Sequence, residues 1–349
     1  MKKRILTLMT TALLTASLVA CGGNAGGTNA SSSQPAADGG GAAANADDKN
    51  VVLWTTEEEH LVADIQKRLD EKFPDYNITI ENLSAATISA KVVEEGENCS
   101  CDIVWSEEYG YLEKCSDYLV ELTDFDYSPF LDDICPASKK YTPELKNAGC
   151  IILNTKVIED RGLDIPQSYE DLLDPQYKGL VSMPAPNSSG TGYMFLRQLC
   201  NEWGEDAAFE YFEKLTPNIL QYTSSGMGPV NALLQGEAAI GLGMTSQTVT
   251  EINEGNTELE PMFFAEGSPY SMYGNALLKK SEGKTAAVEV FNYLATEMVY
   301  VSNEFYYPEK IFKDFTPEIE NYPQGIKYGN MSNDTLDEKE RLLSRWTFS

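Results

Sequence analysis

From residue 50 onward, short apolar runs alternate with amphipathic stretches along the chain. The runs at Val51–Trp54 and Asp102–Trp105 are typical of buried strands. Between them, four apolar side chains recur at every fourth position and so share one face of a helix, namely Leu61, Ile65, Leu69 and Phe73. This alternation continues along the chain and predicts an α/β fold, with mostly parallel sheets and helices on both faces.

Polar loops follow many of the predicted strands. In sheets of this kind, ligands bind beyond the carboxyl ends of the strands, beside the N-termini of helices. We expect a binding site where such loops meet, and the candidates are Thr55–Glu58, Ser106–Glu108, Asn187–Gly192, Ser224–Gly226, and Thr245 with Ser246.

The first 48 residues predict export and anchoring rather than folded structure. Lys2, Lys3 and Arg4 precede an apolar stretch that ends at Leu18-Val19-Ala20-Cys21. This ending resembles the lipobox of bacterial lipoproteins, in which the cysteine is acylated; an ordinary signal peptide with an incidental cysteine is the alternative. Residues 22–48 are rich in Gly, Ala, Asn and Ser, which predicts a flexible tether. We therefore expect a protein on the extracytoplasmic face of the cell membrane, held there by Cys21.

Net charge and histidine content exclude several classes of function. The 349 residues include 26 Lys and Arg against 54 Asp and Glu, a formal net charge of −28. A surface this acidic argues against binding nucleic acid. Because His60 is the single histidine, most histidine-based catalysis is excluded. Glu57 and Glu107 are candidates for the paired catalytic carboxylates of a glycosidase, but such pairs are expected by chance in a chain with so many carboxylates. We expect neither an enzyme nor a purely structural surface protein.

Six cysteines follow Cys21: Cys99, Cys101, Cys115, Cys135, Cys150 and Cys200. Their spacing is not that of a zinc or redox motif, so we expect structural thiols with one or two bridges at most. No metal or cofactor is expected.

Three motifs carry a family resemblance. They are Pro186–Tyr193, Gln221–Gly226 and Gln235–Gly241, followed by Glu266-Gly267-Ser268-Pro269. In this order they resemble the extracellular solute-binding proteins of ABC importers, in the branch that binds ferric ion, 2-aminoethylphosphonate, sugar phosphates, phosphoglycerate or thiamine. The resemblance implies a two-lobed type II periplasmic-binding-protein fold, with residues 50–150 and 265–349 in lobe one and 151–264 in lobe two. It also implies a monomer that binds a small molecule between the lobes and docks on a membrane permease.

Two loops predict an oxyanion ligand. Glycines let the backbone approach a ligand closely, hydroxyls donate hydrogen bonds, and helix N-termini favour negative charge. The alternative for each loop is an ordinary capped helix start. The residues expected to cradle the anion are Ser188, Ser189, Gly190, Thr191, Gly192, Ser225 and Gly226, with Thr245 after a later strand. From the other lobe we expect Thr56, Glu57 and Ser106 to face them and to bind ligand hydroxyls or an amine.

Two other ligands remain open. Iron-binding relatives use clustered tyrosinates, which follow one particular strand. At the corresponding place this chain has Met244-Thr245-Ser246 instead of tyrosines. The adjacent pair Tyr306-Tyr307 is better explained by packing. These departures weaken ferric iron as the ligand without excluding it. A thiamine-like cation also stays possible, because acidic and aromatic residues are plentiful.

Overall fold

The computed structural model describes residues 49–57, 59–332 and 335–349. The predicted signal peptide, the lipidation site Cys21 and the tether therefore lie outside the described residues, as does Glu58. Among the helices described, none is both long and apolar enough to cross a membrane.

Nine strands and eleven α-helices make up the described part of the chain. The strands are β1 (Asn50–Thr55), β2 (Asn77–Asn82), β3 (Ile103–Glu108), β4 (Thr142–Asn154), β5 (Val181–Pro184), β6 (Ile219–Thr223), β7 (Ile240–Met244), β8 (Leu259–Met262) and β9 (Tyr270–Leu277). The helices are α1 (Glu59–Lys72), α2 (Ala85–Glu95), α3 (Tyr109–Lys114), α4 (Thr155–Arg161), α5 (Gly190–Trp203), α6 (Glu205–Leu215), α7 (Gly228–Leu234), α8 (Thr245–Asn253), α9 (Thr285–Tyr293), α10 (Val299–Phe305) and α11 (Leu336–Leu343).

The long strand β4 takes part in two groups of strands. Its residues 142–148 pair with β9, and its residues 149–154 pair with β7 and β8. We call the strands β2-β1-β3-β9 with the first half of β4 the first lobe, and β6-β5-β7 with β8 and the second half of β4 the second lobe. The outer strands pair in parallel, as predicted. The four pairs that involve β4 or β9 are antiparallel, so the sheet is mixed rather than mostly parallel.

A second connection between the lobes runs beside β4. The chain passes from β8 to β9 through Ser268 and Pro269, and Pro269 accepts a hydrogen bond from the backbone N–H of Gly149 at 2.8 Å. The Ser268 hydroxyl donates to the Gly149 carbonyl at 2.6 Å. A Cβ on Gly149 would lie 2.9 Å from Pro269 and 3.0 Å from Phe195. A glycine is therefore needed where the two connections meet.

Each lobe has its own apolar core. In the first lobe, one face of α1 supplies Leu61, Ile65 and Leu69, all buried as the four-residue periodicity predicted. The second core includes Leu342 and Trp346, which follow the last strand by many residues. Sequence-based division puts them in the first lobe with residues 265–349. They pack in the second because the Trp346 ring meets the rings of Phe212 and Tyr222 edge-on.

Local structure departs from the sequence pattern in two places. The sequence pattern predicts a helix over residues 107–118, but β3 continues through Glu108 and α3 starts at Tyr109. The pattern also predicts one long helix over residues 285–305, whereas a π-helical turn, Leu294–Met298, separates α9 from α10.

The six cysteines of the described chain are free thiols rather than bridged pairs. Burial raises the pKa of Cys115 and Cys150 to about 12. These thiols are therefore protonated and unreactive in the folded protein.

We expect Gly149→Ala to lower the free energy of unfolding by about 1–3 kcal/mol, because the added methyl overpacks the meeting point of the two connections. Urea unfolding followed by circular dichroism measures the change. Gly283→Ala is the matched control, because a Cβ there meets open space; its effect should stay within about 0.5 kcal/mol. Equal stability of both variants would contradict this account of Gly149.

Candidate functional site

A cavity of about 1230 Å³ is lined by both lobes and by the C-terminal helix. Its lining is polar on both sides. The polar side chains from the strands and loops of the first lobe are Thr56, Glu57, Asn82, Ser84, Glu108, Tyr111, Asn147 and Tyr273. The second lobe contributes Asn187, Ser188, Ser189, Ser246, Gln247, Thr250, Glu251, Asn253 and Glu254, the segment after α10 contributes Tyr306, Tyr307 and Tyr322, and α11 contributes Lys339.

The loop between β5 and α5 forms one wall of the cavity. Ser188, Ser189 and Gly190, three of the residues that the sequence analysis expects to cradle an anion, all line it. The backbone N–H groups of Ser188 and Ser189 turn back to the Ala185 carbonyl, which fixes the loop at the helix start. The site thus combines hydroxyls with the positive end of a 14-residue helix.

Other residues proposed for the cradle lie outside the cavity lining. Thr191 and Gly192 are buried behind the loop. A Cβ on Gly192 would come 2.3 Å from the Pro184 carbonyl, so this glycine allows strand and helix to pack closely. Gly226 packs against Thr191, and Ser225 is exposed. Their roles in ligand binding stay predictions.

After β7, the side chain of Thr245 does not line the cavity, although its neighbours in the chain do. Thr245 is fully buried, and its hydroxyl lies against the Cys150 thiol. Met244, Ser246 and Gln247 line the cavity beside it. The segment that the sequence marked therefore lies beside the cavity, but which of its side chains face the cavity depends on packing.

On the first lobe, Thr56 and Glu57 line the cavity while Ser106 supports them from below. Ser106 is fully buried with a φ of 54°, in a bulge where β3 shifts register against β9. The Thr56 hydroxyl donates to the Ser106 carbonyl at 2.6 Å, and the Ser106 hydroxyl donates to the Glu57 carboxylate. A left-handed conformation costs a serine energy and often marks a functional site. Here it orients Glu57.

A buried hydrogen-bond chain continues beneath Glu57. The backbone N–H of Ser106 donates to the Asn275 side-chain oxygen at 2.9 Å, and the Asn275 amide donates to Glu144 at 2.6 Å. The pKa of the Glu144 carboxyl is raised to about 7, mainly by burial and to a lesser extent by the nearby Glu57 carboxylate. Burial and the neighbouring Glu108 likewise raise the pKa of Glu107.

Glu108 and Lys339 were not among the predicted site residues. Glu108 lies in the loop that the sequence marked after β3, so the strand-end rule could have found it. Lys339 lies in the C-terminal helix, and no sequence pattern links that helix to the cavity. Both reach the cavity through tertiary packing.

Residues 107–323 match the family of proteins described as bacterial extracellular solute-binding proteins. This match covers more than half of the chain.

Two curated relatives match shorter parts of the chain. An uncharacterized protein of Haemophilus influenzae is 37% identical over 128 residues, which are 36% of this chain and 37% of that protein. A putative 2-aminoethylphosphonate-binding periplasmic protein of Salmonella typhi is 30% identical over 99 residues, 28% of each chain. This chain therefore matches at most 37% of the length of either relative.

Solved structures share the fold. The periplasmic binding protein AfuA from Actinobacillus pleuropneumoniae, with exogenous fructose-6-phosphate bound, has a TM-score of 0.72 and 23% identity, and the match covers 85% of this chain and 98% of that one. Iron-bound HitA from Pseudomonas aeruginosa has a TM-score of 0.72 and 17% identity, with 84% and 97% covered. The expected two-lobed type II periplasmic-binding-protein fold is therefore confirmed. The family resemblance and the expectation of a binding protein rather than an enzyme are confirmed too.

We expect the stability of the protein to fall as pH rises from about 5 to 8, in part because of Glu144. Its pKa is raised on folding from 4.5 to about 7. The folded state therefore holds this proton more tightly, and the resulting stability, present below pH 4.5, is lost as pH rises through 7. The loss is on the order of 3 kcal/mol at about 1.36 kcal/mol per pKa unit.

Urea unfolding at several pH values measures this slope. Glu144→Gln should flatten it, because the amide does not titrate. Glu213→Gln, an exposed change on α6, should leave it as in the wild type. A wild-type slope in Glu144→Gln would show that another group is responsible.

Proposed function

This chain belongs to the family of bacterial extracellular solute-binding proteins, and we propose that it is the solute-binding component of an ABC importer. We propose that its ligand is a small phosphorylated or phosphonate-type anion, captured in the cavity between the lobes. On this proposal the protein is held at the extracytoplasmic membrane face through Cys21, binds as a monomer and delivers its ligand to a membrane permease.

The observation that carries the proposal is the wall formed by Ser188, Ser189 and Gly190 at the N-terminus of α5. Ser189 occupies the N-cap position, yet its side chain makes no capping hydrogen bond within the described chain. Its hydroxyl can therefore donate to a ligand. Ser246, at the start of α8, extends the same wall. Hydroxyls and backbone N–H groups at helix starts suit the oxygens of a phosphate or phosphonate.

The opposite wall suits the rest of such a ligand. Glu57 and Glu108 line the cavity with Asn82 and Asn147. Carboxylates and amide oxygens accept hydrogen bonds from an amine or from sugar hydroxyls. The arrangement favours a ligand with an oxyanion at one end and donors at the other, as in an aminophosphonate or a sugar phosphate. The putative 2-aminoethylphosphonate-binding protein of Salmonella and AfuA with fructose-6-phosphate bound agree with these two ligand classes.

Ferric iron is the second candidate because five tyrosines line the cavity: Tyr111, Tyr273, Tyr306, Tyr307 and Tyr322. Two observations weigh against it. Tyr306 already donates to Asp64 at 2.8 Å, and burial raises the pKa of Tyr273 and Tyr322, which opposes tyrosinate formation. A thiamine-like cation would have to leave the hydroxyl wall unused.

A thermal-shift panel distinguishes these ligands. It should contain phosphate, sugar phosphates, glycerophosphates, 2-aminoethylphosphonate, thiamine and ferric citrate. A ligand at about 100 times its Kd adds about 2.7 kcal/mol, which raises Tm by a few degrees. We expect a shift with a phosphorylated or phosphonate compound. A shift with ferric citrate alone, together with a coloured tyrosinate band, would favour iron; thiamine alone would favour a cation.

We expect Ser188→Asp to weaken binding of the panel's active anion by at least about 100-fold, because a carboxylate then repels it at the helix start. Isothermal titration calorimetry measures the Kd. Ser168→Asp is the matched control, since the Ser168 hydroxyl likewise bonds to nearby backbone, accepting from the Asp171 N–H, but lies outside the cavity lining. Ser225→Asp tests the second loop: unchanged affinity would remove Ser225 from the site. Unchanged affinity in folded Ser188→Asp would contradict the proposed cradle.

A further inference from the structure

Lys339 is positioned by a helix that belongs to the second lobe. Leu342, one turn further along α11, is fully buried in the second core. Arg197 of α5 pairs with Glu338 at 2.9 Å, and Arg341 pairs with Glu205 of α6 at 2.6 Å. Several independent contacts therefore fix the backbone from which Lys339 extends.

The Lys339 ammonium reaches across to the first lobe. Its Nζ lies 3.1 and 3.2 Å from the two carboxylate oxygens of Glu108 on β3. The side chains in this pair are only 10% and 11% exposed. The ammonium also lies 5.0 Å from the ring centre of Tyr111 in the first lobe and 4.7 Å from that of Tyr193 in the second. Both lobes thus hold one charged group at the cavity wall.

Lys339 is the only lysine or arginine among the described residues that line the cavity. The acidic residues of that lining are Glu57, Glu108, Glu251 and Glu254. An entering anion therefore meets a single full positive charge, surrounded by carboxylates. Hydrogen bonds between ionised groups are shorter and stronger than neutral ones. This ammonium is therefore a stronger contact for an anion than any single hydroxyl of the wall formed by Ser188, Ser189 and Gly190.

We propose that Lys339 recognises the negative charge of the ligand and that Glu108 holds it in place across the cleft. This inference rests on the proposed function, because it concerns the same cavity and the same anion. It adds a cation from the C-terminal helix to a site otherwise built of hydroxyls and helix N-termini. It also gives Glu108 two roles, since this carboxylate positions Lys339 and faces the donor end of the ligand.

Calorimetry with 2-aminoethylphosphonate and with inorganic phosphate tests the inference on the purified protein. We expect Lys339→Met to weaken binding of the probe that the wild type binds by about 10- to 100-fold, the range for losing a charged hydrogen bond. Lys339→Arg keeps the charge and should stay within a few-fold of the wild type. Lys284→Met is the matched control: Lys284 pairs with buried Asp102 at 2.8 Å, away from the cavity lining, and its loss should not change affinity.

Removing one partner of a buried ion pair can prevent folding. The double variant E108Q/K339M leaves no uncompensated charge at this position, so it keeps the test valid if K339M does not fold. Circular dichroism establishes that each variant is folded before binding is measured. Inorganic phosphate is the probe for the double variant, because it has no amine for Glu108 to bind: weakened phosphate binding would support the inference, and unchanged phosphate binding would contradict it.

The pH profile separates recognition from a merely structural role. Phosphate groups gain their second negative charge near pH 6, so the wild type should bind the probe more tightly from pH 5.5 to 8. Lys339→Met should flatten this rise, whereas Lys284→Met should keep it.

Two negative outcomes are distinct. If the wild type binds a phosphorylated or phosphonate probe and folded Lys339→Met binds it equally well with the same pH profile, the inference is wrong and the proposed function stands. If the wild type binds neither these probes nor any anion of the panel, the proposed function is wrong and the role of Lys339 falls with it.

Discussion

The two chain connections that meet at Gly149 are the constraint on which the rest of the structure depends. Strand β4 pairs with β9 before this residue and with β7 and β8 after it. The backbone N–H of Gly149 donates to the Pro269 carbonyl, and the Ser268 hydroxyl donates to the Gly149 carbonyl, so the second connection is joined to the first. Both lobes share the continuous strand β4, and the cavity is lined by residues of both lobes.

The two walls of the cavity differ in how they manage charge. The second lobe offers hydroxyls and backbone N–H groups at helix starts, which carry only partial positive charge, together with the carboxylates of Glu251 and Glu254 at the end of α8. The first lobe buries the carboxyl groups of Glu57, Glu107, Glu108 and Glu144 close to one another, and such groups are costly in a low dielectric. Burial and mutual repulsion raise the pKa of Glu107 and Glu144, so that protonation relieves part of the cost. The strained backbone of Ser106 persists because Ser106 accepts a hydrogen bond from Thr56 and donates hydrogen bonds to Asn275 and Glu57.

The C-terminal helix completes the site from a part of the chain remote from both walls. Its apolar face joins the second core, while Lys339 forms a buried pair with Glu108 of the first lobe. This helix therefore places one ion pair across the cleft between the lobes.

Much of this protein was determined by its sequence alone. Local periodicity fixed β1, α1 and the helix after Gly190, since amphipathic spacing is a property of neighbouring residues. Ser188, Ser189, Gly190, Thr56 and Glu57 were found because strand-to-helix loops share one edge of an α/β sheet. Tertiary structure alone decided which side chains of those loops face the cavity: it buried Thr245 and Ser106, and it brought Glu108 and Lys339 to the lining. These outcomes depend on a strand bulge and on contacts between residues more than 200 positions apart. Neither feature produces a periodic pattern of residues in the sequence.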